Sequence, residues 1–502
     1  MKTKLGKGIG VILSMLMMFS VAACGDKDKG GAGTDGDNTG TGPSNPVTAA
    51  ERADYLARGV DAHYATYNAN GDVAVAGYYN ALEGGTDGLA NCYEYSSMID
   101  MANYMVEISA GEDKTYYTKL LNGYVDGLKF FRGSGNQTST HGTRYWEKLH
   151  GVQRKSEPDT GDVSGINLVY DDLMWIVRDF LHAYQNTGDR KYVTEAEYLT
   201  MNCLDGWDST KGGIGGITWG PGYGSKHSCS NAPIISALSQ LAEIYKDSDA
   251  TVTAEETVFT EQTFGQDKVQ WNNMVGMKKY DYYLYWAKQV YEFTYNYLRN
   301  DDNTFADALW MTETILKDQA APGGSYKHFN DKPNNIDRYK FTYNTGAMVS
   351  GAAWLYKLTG DEEYLMQARK MAEGAYRYFV KTVTVDGKEM QMYDCRTTLY
   401  FNTVLMRGYM DLADASKAKN ADENAAVQAE VKKYAGVFKS GLDYAFENYM
   451  TGRSLPHNLL QGWLYATGSG QTFDTHKDVK DGASAPILYA MIAVYKNAHG
   501  AL

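Results

Sequence analysis

Residues 166–189 read INLVYDDLMWIVRDFLHAYQNTGD and predict a helix that ends in a tight turn. The apolar side chains recur three and four residues apart, which is the spacing of one helix face: Val169, Leu173, Ile176, Val177, Phe180 and Tyr184. Gly188 supplies a left-handed turn conformation, and Asp189 is able to cap whatever follows. The stretch therefore predicts one helix followed directly by another.

Two adjacent carboxylates, Asp171 and Asp172, lie in the first turns of this apolar helix. On a helical wheel both fall opposite the main apolar stripe, beside Leu168 and Trp175, so this part of the helix is apolar on both sides. Burying two like charges costs free energy unless they have a use. The pair therefore indicates either a functional cleft or an exposed acidic helix start that is favoured by the helix dipole.

The same kind of turn recurs and pairs the helices. Three short turns each end one helix and start another: Gly111-Glu112-Asp113 with Tyr116, Gly188-Asp189 with Tyr192, and Gly360-Asp361 with Tyr364. Periodicity predicts twelve helices, at about 47–68, 92–110, 114–132, 166–187, 190–206, 228–246, 278–299, 342–358, 361–381, 397–416, 424–450 and 483–497. No run of alternating strands is evident.

Links are short after helices two, four, eight and ten and long after the odd-numbered helices, with an apparent insertion at 247–277. This alternation predicts an all-α fold, an (α/α)6 barrel of twelve helices in six hairpins. The even-numbered helices would line the inside and begin at the long-loop rim. Their starts are polar and aromatic: 91–95, 170–172, 226–231 after the loop 219–223, 341–346, 393–396 and 481–482.

We place the functional site at that rim, although each start taken singly has a structural explanation as a cap or as core. The substrate-binding candidates are Tyr170, Trp175, Trp219, Tyr223, Asn231, Tyr343 and Asn344. Two carboxylates surrounded by Tyr, Trp and Asn suit glycoside hydrolysis, in which one carboxyl group donates a proton and the other attacks the anomeric carbon or activates water. A separation of about 5 Å between the carboxyl groups would indicate the retaining route.

Other chemistries find little support in the sequence. The net charge of −13 argues against nucleic acid or anionic lipid as a partner. The chain has no HExxH motif and no metal-ligand spacing among its nine His, so we expect neither metal nor cofactor. It also lacks a GxSxG elbow, and GGIGG at 212–216 is not a phosphate-binding loop, since no GK[ST] follows.

The amino terminus predicts export and lipidation. Residues 1–24 have a basic start, a short apolar core and a final VAAC that resembles the bacterial lipobox, with Cys24 as the lipidated residue. Residues 25–46 form a flexible Gly/Asp/Thr tether, and 47–502 form the glycoside hydrolase domain. We expect a monomeric lipoprotein held outside the cytoplasm in the cell envelope. Four further cysteines predict buried thiols or disulfides of undetermined pairing: Cys92, Cys203, Cys229 and Cys395.

Several motifs together resemble glycoside hydrolase family 76, the endo-α-1,6-mannanases. They are YDDLMW, the TGDxxY turns, GGIGGITW followed by a Lys and SNAP, and TYNTGA before LTGDEEYL, and they run from about helix four to helix ten. The resemblance implies an (α/α)6 barrel that cleaves within α-1,6-linked mannan with retention. It implies that Asp171 is the nucleophile and Asp172 the acid/base. It also implies sugar contacts from Trp219, Asn231, Tyr343 and Asn344.

Three alternatives remain open at the level of sequence. One is another helical-barrel glycosidase, such as an exo-acting α-mannosidase or an unsaturated uronyl hydrolase. The second is a lipid-anchored protein that binds glycan without cleaving it, and the third is a purely structural envelope protein. The insertion 247–277 and the Tyr-rich first quarter have no clear counterpart in the family, so the preferred mannan stays undetermined.

Overall fold

The computed structural model of the protein describes residues 46–502, apart from 81–83, 140–141, 164–166, 209–213, 257–261, 265–266, 270–273, 315–319, 322–323, 326–327, 395–397, 451–452 and 456–476. The predicted signal peptide with Cys24, the tether up to residue 45, and Cys395 lie outside the described residues. Within the described ranges, no helix is both long and apolar enough to cross a membrane.

Twelve α-helices occur in the described part of the chain, each within a few residues of its predicted position. Their bounds are α1 Ala49–Tyr64, α2 Cys92–Ile108, α3 Gly111–Gly127, α4 Tyr170–Thr187, α5 Lys191–Leu204, α6 Ala232–Ile244, α7 Lys279–Tyr297, α8 Thr342–Thr359, α9 Glu362–Phe379, α10 Tyr400–Ser416, α11 Ala421–Tyr449 and α12 Val479–His499.

The even-numbered helices form a closed ring. Each of α2, α4, α6, α8 and α10 packs on the next even-numbered helix, and α12 packs on both α10 and α2. Outside this ring, α3, α5, α7, α9 and α11 each pack on the inner helix that precedes them, and α1 packs on α12. The (α/α)6 barrel is thereby confirmed.

Burial explains which helices lie inside. In α8 nearly every residue from Thr342 to Tyr356 is buried. In the outer helix α9 the buried apolar side chains recur at helical spacing along one face: Leu365, Ala368, Met371, Ala372, Ala375 and Phe379. A helix that is apolar all round needs neighbours on every side, whereas an amphipathic helix can cover the ring and face water.

The turns after α4 and α8 have the predicted geometry. Gly188 and Gly360 adopt φ values of +71° and +69°, and their N–H groups donate to carbonyls four residues earlier at 2.7 and 2.8 Å. The next residue then caps the following helix: Asp361 Oδ1 accepts a hydrogen bond from the Glu363 N–H at 3.0 Å. These turns therefore reverse the chain within a few residues and set each outer helix against its inner partner.

Short antiparallel strands, which the sequence pattern does not predict, occupy the long loops. Their bounds are β1 Ala65–Tyr67, β2 Val73–Tyr79, β3 Thr86–Leu89, β4 Arg132–Ser139, β5 Gly142–His150, β6 Ser225–His227, β7 Gln262–Phe264, β8 Asp267–Val269, β9 Ala306–Thr314, β10 Ala320–Ala321, β11 Gly324–Ser325, β12 His328–Lys340, β13 Val380–Val385, β14 Lys388–Tyr393 and β15 Lys477–Asp478. The sequence does contain one pattern typical of a hairpin turn: Asp386-Gly387, with φ of +50° and +78°, connects β13 and β14.

A buried ion pair crosses the barrel interior. Arg407 of α10 donates to Asp100 of α2 at 2.5 Å and to the Tyr104 hydroxyl at 2.8 Å. The side chains of Arg407 and Asp100 are only 16% and 5% exposed. Because α2 and α10 are separated by α12 in the ring, this contact ties helices that are not neighbours. A charge pair desolvated to this degree is costly to break from one side.

Two glycines set the distance between α8 and α10. A methyl group at Gly408 would lie 2.5 Å from the carbonyl oxygen of Gly346. We expect Gly408→Ala to lower the free energy of unfolding by about 1–3 kcal/mol, because the packed helices must shift to admit it. Gly436→Ala in α11 is the control, since a methyl group there meets nothing within 4 Å and alanine favours a helix. Denaturant titration of both variants measures the free energy of unfolding. A Gly408→Ala variant as stable as the wild type would contradict the prediction.

Candidate active site

Asp171 and Asp172 lie in the first turn of α4, at the long-loop rim of the barrel. Asp172 is 6% exposed and Asp171 is half-buried. Asp171 Oδ1 is buried and has no hydrogen-bond partner among the described residues. The exposed acidic helix start that the sequence left open is therefore not the arrangement in the structure, and the two carboxyl groups lie in a protected site.

The two carboxyl groups differ in their surroundings. Burial, then the charge of Asp171, then that of Glu94 hold the pKa of Asp172 well above its usual range, against an opposing effect of Lys480. Burial also raises the pKa of Asp171, but His227 and a hydrogen bond from the Cys229 thiol act to lower it. Asp172 is therefore the group that stays protonated, and Asp171 is the one favoured as the carboxylate.

An acidic and basic cluster beside Asp172 was not predicted as part of the site. Lys480, just inside α12, donates to Asp478 Oδ2 at 2.7 Å and to Glu94 Oε1 at 3.4 Å. Glu94 also accepts the Asn91 N–H at 2.9 Å in a capping box that starts α2. The polar helix starts at 91–95 and 481–482 pointed to this part of the rim, but not to the contact between α2 and α12.

Aromatic side chains surround the aspartates on the barrel side. Trp175 contacts Tyr93 with ring centroids 6.3 Å apart and Tyr343 at 6.5 Å. Trp175 is 5% exposed and Tyr343 8%. Burial raises the pKa of Tyr93, and the nearby Asp171 and Asp172 raise it further. Of the predicted contacts, Trp175 and Tyr343 are thus brought to the site, with Trp175 packed among aromatic rings.

A second aromatic group comes from the loop before α6. Trp219 contacts Tyr223 and His227, each with ring centroids 5.0 Å apart. Burial and then Asp171 raise the pKa of Tyr223, which places this hydroxyl within reach of the Asp171 charge. Trp219, Tyr223 and the unpredicted His227 are all partly accessible. The structure therefore brings the predicted Trp219 and Tyr223 to the aspartates.

A buried ion pair holds this loop in place. Lys226 Nζ donates to Asp208 Oδ2 and to the Gly215 carbonyl, each at 2.6 Å, and both charged side chains are fully buried. Gly215 and Gly216 adopt positive φ, and side chains there would collide with Trp207 and Phe293. The described part of the GGIGG segment is therefore a tight structural loop that carries Trp219.

The remaining predicted contacts are deeply buried. The Tyr170 hydroxyl accepts a hydrogen bond from Gln137 at 2.7 Å, and Tyr170 is fully buried beneath the site. Asn231 Oδ1 accepts the Ile217 N–H at 2.7 Å, and its Nδ2 donates to the Ile217 and His227 carbonyls, so its amide ties the loop to α6. Asn344 differs, because neither amide atom has a hydrogen-bond partner among the described residues.

The described cysteines are buried free thiols: Cys92, Cys203 and Cys229. Cys229, directly before α6, is 6% exposed, and burial and then Asp171 raise its pKa, so the thiol is protonated beside the carboxylate. Within the described residues, no group of three or more His, Cys, Asp or Glu side chains is arranged to hold a metal ion.

A model of glycosyl hydrolase family 76 matches residues 157–297 and 274–444, which together make up more than half of the chain. The mannan endo-1,6-alpha-mannosidase DCW1 of Candida glabrata is 23% identical over 217 residues, 41% of this chain and 36% of the relative. DCW1 of Saccharomyces cerevisiae is 21% identical over 228 residues, 44% of this chain and 39% of the relative. The aligned regions thus span less than two fifths of the length of these relatives.

Solved structures share the fold over nearly the whole chain. A family 76 mannosidase from Bacteroides thetaiotaomicron VPI-5482 superposes with a TM-score of 0.63 at 19% identity, covering 90% of this chain and 99% of that protein. The GH76A α-1,6-mannanase of Salegentibacter sp. HEL1_6 gives 0.55 at 19% identity, covering 89% and 99%. From the family match, the barrel and the buried aspartate pair together, we conclude that the chain belongs to glycosyl hydrolase family 76.

Proposed function

We propose that this protein hydrolyses α-1,6-mannosidic linkages within mannan chains, with retention of anomeric configuration. The observation that carries the proposal is the Asp171-Asp172 pair in its protected site at the rim, where one carboxyl group is held protonated beside another favoured as the anion. The names of the two yeast relatives support the linkage. Further support comes from an inactive Salegentibacter α-1,6-mannanase variant, with two aspartates replaced, that was solved in complex with α-1,6-mannotriose.

The proposed reaction uses the two carboxyl groups in turn. Asp172 donates its proton to the glycosidic oxygen while the Asp171 carboxylate attacks the anomeric carbon, which breaks the C–O bond and forms a glycosyl-enzyme ester. Asp172, now ionised, removes a proton from water, and the water attacks the anomeric carbon and releases Asp171. The raised pKa of Asp172 suits the first step, since the acid must hold its proton near neutral pH.

Digestion of unbranched α-1,6-mannan tests the activity. An endo-acting enzyme releases a ladder of oligosaccharides, whereas mannose alone would favour an exo-acting α-mannosidase. Binding of mannan without any cleavage would favour a glycan-binding protein, and absence of binding would overturn the proposal. Proton NMR of the first product tests retention, because net inversion would exclude Asp171 as the nucleophile.

Glu94→Gln is expected to move the alkaline limb of the kcat/KM profile to lower pH. Removing the Glu94 charge lowers the pKa of Asp172, so this acid loses its proton, and the enzyme its activity, at lower pH. Glutamine keeps the capping acceptor for the Asn91 N–H, which preserves the start of α2. Lys480→Met is the opposing variant, with the limb expected at higher pH. Shifts of the same sign in both variants would contradict this account.

We also propose that the protein is a monomeric lipoprotein, anchored through Cys24 outside the cytoplasm. The lipobox-like sequence before Cys24 and the tether 25–46 support this, since a tethered enzyme can act on polymers too large to import.

Cys24→Ser is expected to abolish incorporation of labelled fatty acid and to remove the protein from the membrane fraction. Equal labelling of the variant and the wild type would exclude Cys24 as the lipidated residue. Light scattering of the domain 47–502 measures its mass in solution and so tests whether it is a monomer.

A further inference from the structure

Trp310 presents a large aromatic surface to solvent at the rim of the barrel. It lies on β9 and is 47% exposed, whereas the residues on either side of it, Leu309 and Met311, are 0% and 6% exposed. A lone exposed apolar side chain is ordinary on a protein surface. The position of this indole relative to the aspartates is what makes it informative.

A continuous row of aromatic side chains leads from Asp171 to Trp310. Tyr223 lies within the influence of the Asp171 charge and contacts Trp219 at 5.0 Å. Trp219 contacts His227 at 5.0 Å, and His227 contacts Trp310 at 6.1 Å, all measured between ring centroids. The row therefore begins at the site of bond cleavage and ends at an indole that is open to solvent.

The backbone holds the two tryptophans on one framework. β9 is the central strand of a three-stranded sheet, with β6 on one side and β12 on the other. Trp310 is paired with Ser225 of β6, and the Ser225 carbonyl accepts a hydrogen bond from the backbone N–H of Trp219 at 2.9 Å. Because the backbones that carry both indoles are held by the same strand pairing, the spacing of these backbones is set before any substrate binds. Such preorganisation lowers the entropy cost of binding.

We propose that Trp310 is an outer sugar-binding platform, at which the substrate chain gains a contact beyond the mannose units held at the aspartates. The chemistry fits an uncharged sugar, because the apolar C–H face of a pyranose ring packs on an indole as other apolar groups do. The inference rests on the proposed function for the identity of the sugar. The platform would add a determinant of chain-length preference, which Asp171 and Asp172 do not provide.

Trp310→Ala is tested on unbranched α-1,6-mannooligosaccharides of increasing length with a label at the reducing end. We expect kcat/KM to fall about 3- to 10-fold on oligosaccharides long enough to reach the platform, which is the loss expected for one aromatic contact. On the shortest cleaved substrates we expect less than a twofold change, and the preferred cleavage position on long substrates shifts. Met366→Ala is the matched control, since Met366 is also 47% exposed but lies on the outer helix α9.

A binding measurement separates failure of the platform from failure of the proposed function. Asp171→Asn/Asp172→Asn protein, with and without Trp310→Ala, is titrated with long and short oligosaccharides by calorimetry. If Trp310→Ala weakens binding of the long oligosaccharide only, and the wild type does not cleave mannan, the platform is supported and the proposed hydrolase activity is overturned. Equal losses at every length, or no loss at any length, would overturn the platform even if α-1,6-mannan is cleaved.

Discussion

Asp171→Asn is expected to lower kcat on α-1,6-mannan by about 10⁴-fold or more while leaving the fold intact. Asparagine keeps the shape of the side chain but is too weak a nucleophile to form the glycosyl-enzyme ester. The substitution also replaces a carboxylate whose charged form is disfavoured by burial with a neutral amide, so we expect thermal stability to be unchanged or higher. Hydrolysis rates and circular dichroism melting of the same preparation measure both quantities.

The configuration of a rescue product distinguishes the nucleophile from a residue that only supports the fold. In Asp171→Ala, added azide enters the space of the missing carboxylate and attacks the same face of the sugar. With an aryl α-mannoside of a good leaving group, the expected product is a β-mannosyl azide, of inverted configuration. Turnover of Asp171→Asn within tenfold of the wild type, or an α-azide from Asp171→Ala, would show that Asp171 is not the nucleophile.

Asp172→Asn is expected to lower kcat on mannan by about 10²- to 10⁴-fold, the range for losing a general acid. The size of this loss in rate should depend on the leaving group of the substrate, because a nitrophenolate departs without a proton whereas a sugar hydroxyl does not. Formation of the glycosyl-enzyme from an aryl α-mannoside is therefore expected to stay close to the wild-type rate, with a burst of nitrophenol followed by slow turnover. Pre-steady-state absorbance measures the burst.

Azide again supplies the control. In Asp172→Ala the Asp171 nucleophile is intact, so azide intercepts the glycosyl-enzyme and the expected product is an α-mannosyl azide, of retained configuration. The two alanine variants thus predict products of opposite configuration from one substrate. The same loss of rate on mannan and on the aryl mannoside would contradict the role of Asp172 as the acid.

The helices were predictable because their signals are local. The apolar stripe of residues 166–189 and the left-handed glycine turn at Gly188 both depend on residues within one or two turns, and the structure shows each of them. The alternation of short and long links then constrained the topology, because a two- or three-residue link allows only an antiparallel neighbour. The barrel and the rim position of Asp171 and Asp172 follow from these local facts.

Some site residues escaped prediction because their partners are distant in the chain. Glu94 and Lys480 are 386 positions apart, and His227 meets Trp310 only because β6 pairs with β9. No periodicity records such contacts. Asn231 shows the converse. The family resemblance implies that its side chain contacts sugar, but in the structure its amide is hydrogen-bonded to the backbone of Ile217 and His227.

Local periodicity and turn chemistry thus settle the helical barrel and the placement of two carboxylates on its rim, since both are properties of contiguous residues. The tertiary structure decides how those carboxylates differ. Burial acts on both, but Glu94 raises the pKa of Asp172, whereas His227 and Cys229 lower that of Asp171. These neighbours come from α2 and from the loop before α6, so only the packing of α2 and α6 against α4 brings them to the two aspartates. Electrostatic effects depend on distance in space, and the linear sequence does not record that distance.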